Sequence, residues 1–560
     1  MTISGGIPVS WFPKGLSDCL DSTPVFPGAM ASLQNLIPDP TTKNVWNCRP
    51  ASILLVDFSL SGGAFSDAFS SAFNVGLTSS GSFISALKVI GSRAYGMVAS
   101  SAFPGFDIPF SYNLGTGNFE IPTGITGANI PASPVAIGAW TPPTMDVIGT
   151  KIIVTHPGFN GGGNGFFGVI DISTPASPAW SSGNTATNAL PSVPVAVKQF
   201  NGRAWYLVNP PTGQPGAYFS DVLAATTVTN ATQILTFGDN IPLTSLGQLP
   251  LNNQLGGIIQ ALIVFKGVSN MFQVTGDFAS TANPLTLNAL NVATGTLAPN
   301  SICTTPKGLS FVAPDGVRII DFNAHVSDPL GISGSGITVP FIYSVVPSRV
   351  SAACNLGIIR LSVQNGYVSG NPTQEYWYDM SRDLWSGPHS FPSSLIQPYT
   401  NTFVMAPFGV TAKLFQSDAV QTSTSTFVEN GAMMSLVLKT SLLPNTGKIA
   451  ANYISETTID MALASGATYT VSALNNQQSV LDLVNIVAAA RSATQWGSFI
   501  WGNATWGSSV SAIAPRKVDW HLPLVADQLY LQVTGTCAQG VKFGKTYLRY
   551  SVLGYLANAA

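Results

Sequence analysis

The chain has 560 residues with 23 basic and 25 acidic side chains, and only 9% of its residues are Asp, Glu, Lys or Arg, against roughly 25% in an average soluble protein. That length suffices for two or three domains with full cores, and a net charge of −2 offers no strongly basic field for nucleic acid and no acidic one for cations. Glutamate occurs only as Glu120, Glu375, Glu429 and Glu456, while 54 Gly and 39 Pro stand among many Ser, Thr, Asn, Val and Phe, so the composition predicts strands and turns in an all-β chain.

Residues 1–50 are Pro-rich and weakly periodic, which predicts an extended arm that packs on another part of the chain. The first twenty residues lack the basic and apolar regions of a secretory signal. Residues 51–430 alternate strand-length apolar runs with Gly, Pro and Asn turns. Several are hairpins: "LKVIGSRAYGMVAS", "VAVKQFNGRAWYLVN", "TPKGLSFVAPDGVRIID" and "QEYWYDMSRDLWSG". In the third, Pro314 suits the first central position of a turn and Gly316 a positive φ. Such units recurring over some 350 residues predict a β-propeller, its four-stranded blades stacked radially. Residues 431–560 change rhythm and predict a separate, small β-rich domain. Within it, a helix of about three turns is expected from Ser479 in "SVLDLVNIVAAARSA", although its β-branched residues disfavour helix. The domain also carries "WGSFIWGNATWG", with Trp496, Trp501 and Trp506 five residues apart. A five-residue step scatters rings around a helix and alternates them across a strand. The rings are therefore either core aromatics or anchors at a subunit or partner contact, where Trp is enriched.

Few motifs carry chemistry. The glycine-rich "GFNGGGNGFFGVIDI" opens into a strand, whereas a phosphate-cradling loop needs a helix behind it. His156, His325, His389 and His521 stand apart, and the five cysteines show no C-x-x-C spacing. No metal or other cofactor is expected, and the thiols are expected to be reduced. No apolar run reaches the 18 or more residues of a membrane span. Glycoside cleavage needs two carboxylates facing each other across a sugar. Asp57, Asp221, Asp277, Asp315, Asp321, Asp379, Asp383 and Asp418 all fall at strand ends or turns, where Asp caps local N–H groups anyway. On these grounds the chain is expected not to be an enzyme. A surface with so few charges also predicts an oligomer that hides much of it.

Several phrases together resemble the tail nozzle, or tail hub, proteins of short-tailed bacteriophages. They are "GRAWYLVNPPTGQPGAYFSDVLAATT", partly repeated as "KLFQSDAV"; "IIQALIVFKGVSNMFQVTGD"; "SICTTPKGLSFVAPDGVRIID"; "EYWYDMSRDLWSG"; the Trp-Gly repeat; and the arm's "PGAMASLQNLIPDP". The resemblance implies a β-propeller joined to a platform built from both chain ends. It further implies a virion protein, made in the host cytoplasm, of which six copies form a ring. That homohexamer would extend the DNA channel below the tail adaptor ring, conduct and gate double-stranded DNA without sequence preference, and anchor tail fibres or other tail proteins. The resemblance carries over no catalytic residues. The alternatives are a carbohydrate-binding or carbohydrate-cleaving propeller, such as a receptor-binding tail protein, and a bacterial surface propeller, which the missing export signal disfavours.

Overall fold

The fold was analysed in a computed structural model. It describes residues 7–11, 30–58, 83–99, 106–132, 142–183, 190–229, 231–252, 257–278, 280–281, 284–290, 292–331, 349–364, 373–391, 393–407, 412–443, 450–464, 466–487, 514–526 and 528–555. The chain is all β. Among the described residues there is no α-helix, only a single 3₁₀ turn at Pro299–Ser301.

Seven small antiparallel sheets follow one another along the chain and form the blades of a propeller. Blade 1 runs from Phe83–Ile90 to Phe119–Glu120, blade 2 from Thr144–Ile148 to Ala179–Ser182, and blade 3 from Ala196–Phe200 to Ile234–Thr236. Blade 4 runs from Leu243–Asn252 to Thr286–Leu290, and blade 5, with three strands among the described residues, from Cys303–Thr305 to Gly316–Ile320. Blade 6 spans Ser351–Asn355 to Leu384–His389. Blade 7 takes three strands from Ser393–Tyr399 to Lys413–Asp418 and completes itself with a distant fourth, Ile53–Asp57. The first strand of each blade neighbours the first strand of the next, and the circle closes from blade 7 back to blade 1.

The hairpins have local causes. In blade 5, Ala313 pairs with Gly316 across Pro314 and Asp315, and Gly316 has φ +144°, a conformation that a side chain would disfavour. Blade 3 turns at Asn201 (φ +49°) and Gly202 (φ +71°), the two left-handed residues of a tight hairpin turn. Cohesion between blades comes from apolar faces that alternate along the strands. Ile153, Phe167 and Val169 of blade 2 pack with Val197, Tyr206 and Val208 of blade 3. Trp205 and Phe219 of blade 3 pack with Leu262 and Val264 of blade 4.

Both chain ends build a platform on the propeller. One sheet joins Ile7–Trp11, Leu36–Pro38 and Trp46–Cys48 to the long strands Ala450–Leu463, Ala514–Ala526 and Lys542–Tyr555. The other pairs Met30–Gln34 with Ser435–Thr440, followed by Tyr530–Thr536, Thr468–Leu474 and Val480–Val487. The arm is therefore not laid over a finished domain; it supplies strands to it. Its Met30, Leu33 and Trp46 share one core with Leu436, Val533 and Phe543 of the later chain and with Tyr378 and Trp385 of blade 6.

One expected element is corrected. Residues expected to start a helix at Ser479 form the strand Val480–Val487 instead, paired with Thr468–Leu474. The β-branched residues of "VLDLVNIV" restrict χ1 in a helix and pack readily on a pleated surface, and a partner strand lies alongside.

Candidate functional site

Two arrangements of polar side chains are candidates for function: a buried junction where platform meets propeller, and the cavity on the propeller axis. The junction gathers residues from both chain ends. Arg49 follows the arm strand Trp46–Cys48, and its Nη2 donates to both carboxylate oxygens of Glu429 at 3.0 and 2.9 Å. Its Nε donates to Asn35 Oδ1 at 2.8 Å and its Nη1 to the Pro50 carbonyl. Glu429 also accepts from the Ser52 backbone N–H at 3.0 Å and from Ser390. Such saturation is what a fully buried ion pair requires, since an unpaired buried charge is very costly. A second buried pair lies beside it in blade 6: Arg360 Nε sits 2.6 Å from Glu375 Oε1, which also accepts from the Trp377 indole N–H at 2.6 Å. The Arg360 guanidinium lies over the Trp377 ring at 4.9 Å, a cation–π contact.

His389 links the two parts. Its Nδ1 accepts the Asn35 backbone N–H at 3.0 Å, and its Nε2 faces the Ser386 hydroxyl at 3.2 Å. A ring nitrogen that accepts an N–H carries no proton, so the imidazole is neutral with its hydrogen on Nε2. Burial, reinforced by the Arg49 and Arg360 charges, pushes its pKa well below the usual histidine value.

A third buried cluster has the residue types of a nucleophilic triad in another arrangement. Asp107 Oδ2 accepts from Ser85 Oγ at 2.6 Å and meets His156 Nε2 at 2.7 Å, while His156 Nδ1 accepts the Gly158 N–H at 2.9 Å. In a working triad the histidine stands between hydroxyl and carboxylate. Here the carboxylate stands in the middle and takes both the serine hydroxyl and the imidazole, and the cluster joins blade 1 to blade 2.

The axial cavity is about 120 Å³ and is lined by the first strands of all seven blades. On its wall, Lys88 of blade 1 and Lys198 of blade 3 are bridged by Asp146 of blade 2, at 3.0 and 3.2 Å. Burial pushes the Asp146 carboxyl up, but the two lysines and the Gln199 N–H outweigh it and hold its pKa at about 2.

The residues singled out in the sequence fall as follows. Trp496, Trp501 and Trp506 lie outside the described residues. Asp57 pairs with Lys413, Asp277 with Arg203, Asp315 with Arg318 and Asp379 with Arg382. Asp383 binds the Tyr378 hydroxyl, Asp418 that of Ser425, and Asp221 takes Thr229 and Gln233. Asp321 caps its own turn and is the partner of His325 at 3.6 Å. Each carboxylate thus has a partner where it stands. Cys48 and Cys537 are buried, Cys303 and Cys354 half-buried, and all four are free thiols. No metal-holding group of His, Cys, Asp and Glu occurs among the described residues, and no described helix is long and apolar enough to cross a membrane.

No protein-family model matches the sequence, and no curated protein is similar to it in sequence. Solved structures are similar in fold. Puromycin hydrolase is 9% identical, with a TM-score of 0.38 over 64% of this chain and 58% of that one. Prolyl oligopeptidase B from Galerina marginata is 9% identical, with a TM-score of 0.34 over 68% and 58%. The β-propeller domain of the Trilobed protease from Pyrococcus furiosus is 8% identical, with a TM-score of 0.32 over 60% and 95%. The chain thus spans somewhat more than half the length of the first two. The similarity is one of fold and assigns no activity or substrate. One expectation is corrected. The chain was expected not to be an enzyme; the absence of a local catalytic motif gives no ground for that exclusion, and the similar structures are hydrolases and proteases by name, matched at 8–9% identity. The physical reason is that a fold gathers side chains that no spacing rule would reveal, as it gathers Ser85, Asp107 and His156, although those three do not stand in the order of a working triad.

The junction carries no local sequence motif. A signal was present in the scarcity of Glu: in a chain with four glutamates, Glu375 and Glu429 both pair with buried arginines.

Proposed function

We propose that the chain is the subunit of a tail nozzle of a short-tailed bacteriophage, a homohexameric ring that continues the DNA channel below the adaptor and carries fibres or other tail proteins. The observation that supports this most is the platform. Both chain ends enter its two sheets, and the arm is tied to the end of blade 6 by Asn35, whose N–H donates to His389, and by Arg49, which pairs with Glu429 and donates to Ser390. Exposed apolar side chains on the platform, Val480 at 55%, Leu483 at 50% and Val487 at 61%, fit a surface that a neighbouring subunit covers.

The duplex would run between subunits, because the axial cavity of about 120 Å³ holds only several waters at about 10–15 Å³ each. Light scattering after size exclusion tests the proposal. The 58.5 kDa chain is expected at roughly six times its own mass. A monomer or a trimer at micromolar concentration would count against the ring.

A further inference from the structure

The axial cavity carries a charge imbalance that ring assembly does not require. Its wall has two charged side chains among the described residues, and both are lysines, Lys88 and Lys198. Asp146 is set behind them, its side chain 9% exposed while theirs are 24% and 27%. Two ammonium groups against one carboxylate leave one positive charge at the wall. Each ammonium has three donors, and both reach the same carboxylate, so donors remain for a further acceptor. The rest of the wall includes the amides of Gln248, Asn300 and Gln397 and the Thr304 hydroxyl. The first strand of each blade pairs with a strand on one side only, and on that free edge in blade 3 the N–H groups of Val197 and Gln199 donate to Thr144 and Asp146 of blade 2.

We propose that this cavity binds a small oxyanion, of phosphate or short-carboxylate size, between Lys88 and Lys198. At about 120 Å³ it holds several waters at about 10–15 Å³ each, room for such an anion but not for the drug-sized ligands that fill about 300–1,000 Å³. Asp146 keeps the lysines apart from one another and oriented, and the anion takes the donors that Asp146 does not use. Burial, with Lys88 nearby, lowers the pKa of Lys198, and a bound anion would raise it again, so binding is expected to be coupled to proton uptake at alkaline pH. This inference is independent of the nozzle reading and holds for a monomer as well as for a ring.

Calorimetric titration of the full chain with inorganic phosphate, and separately with acetate, at constant ionic strength in chloride, tests it. One saturable site per chain is expected, weakened at least tenfold by Lys88→Met and by Lys198→Met and tightened severalfold by Asp146→Asn. Broadening of the phosphorus-31 signal of phosphate by the unaltered protein, reversed by excess acetate, gives the same answer should a variant fail to fold. No saturable heat and no broadening would overturn the proposal. So would phosphate binding that neither lysine substitution weakens.

Discussion

At the scale of single residues, the scarce charges are used inside the fold. Glu429 illustrates the consequence. Replacing it by Gln leaves Arg49 buried without its counter-charge, a change that costs about 3–5 kcal/mol. Because Glu429 ties the arm to blade 6, Glu429→Gln is expected to split thermal unfolding into two transitions in calorimetry, with the platform melting first. His389 makes the junction sensitive to acid. Its folded pKa lies well below the ordinary value of about 6.5, so as pH falls past 6.5 the unfolded chain takes up a proton that the folded chain refuses. The stability it contributes is complete above pH 6.5 and is lost as pH falls toward the folded pKa, at up to about 1.4 kcal/mol per pH unit. His389→Gln, whose amide oxygen can still accept the Asn35 N–H, is expected to flatten that slope in urea melts between pH 6.5 and 4.5. Asp39 and Asp146, both held at about 2, act in a lower window. Their contribution is present above about pH 4 and lost as pH falls toward 2.

At the scale of elements, the hairpins were legible because the turn dictates the residues. Asn201–Gly202 and Pro314–Asp315–Gly316 stand in the sequence with apolar runs on either side, and the structure turns at both. The strand Val480–Val487 was not legible as a strand. An apolar run of that length is compatible with either period, and what decides is the neighbour at Thr468–Leu474, which no local rule supplies. Blade number was hidden for a related reason. Blade 5 shows three strands among the described residues, and blade 7 borrows Ile53–Asp57 from more than three hundred residues away. That borrowed strand should matter more than its five residues suggest. Leu55 and Val56 pack against the core shared by blades 7, 1 and 2, and Asp57 pairs with Lys413 at 3.1 Å. A chain lacking residues 1–57 would expose the edge of blade 7 and strip the platform of its arm strands. It is expected to aggregate as unpaired edges do, measurable as insoluble protein on expression. A soluble, monodisperse product would show that the closing strand is dispensable.

At the scale of the whole molecule, charge bears on DNA. Among the described residues, at least eleven basic side chains pair with carboxylates of the same chain, including Arg49, Arg203, Arg360 and Lys266. Apart from Lys88 and Lys198, which line a cavity too small for a duplex, those residues are already engaged and offer little to the phosphates of DNA. A conduit needs a wall that does not hold its cargo, because each phosphate neutralised releases counterions and steepens the salt dependence of binding. The purified protein is expected to bind linear duplex DNA weakly in anisotropy titrations, with a shallow salt slope and no sequence preference. Nanomolar affinity that collapses with added salt would mean that the fold gathers the remaining basic residues into one surface. Cryo-electron microscopy of the purified protein decides whether the ring exists. Sixfold particles are expected, whose subunits show a seven-bladed propeller mounted on a two-sheet platform, around a lumen wide enough for a DNA duplex. Single propellers, threefold particles, or a ring too narrow for a duplex would contradict it.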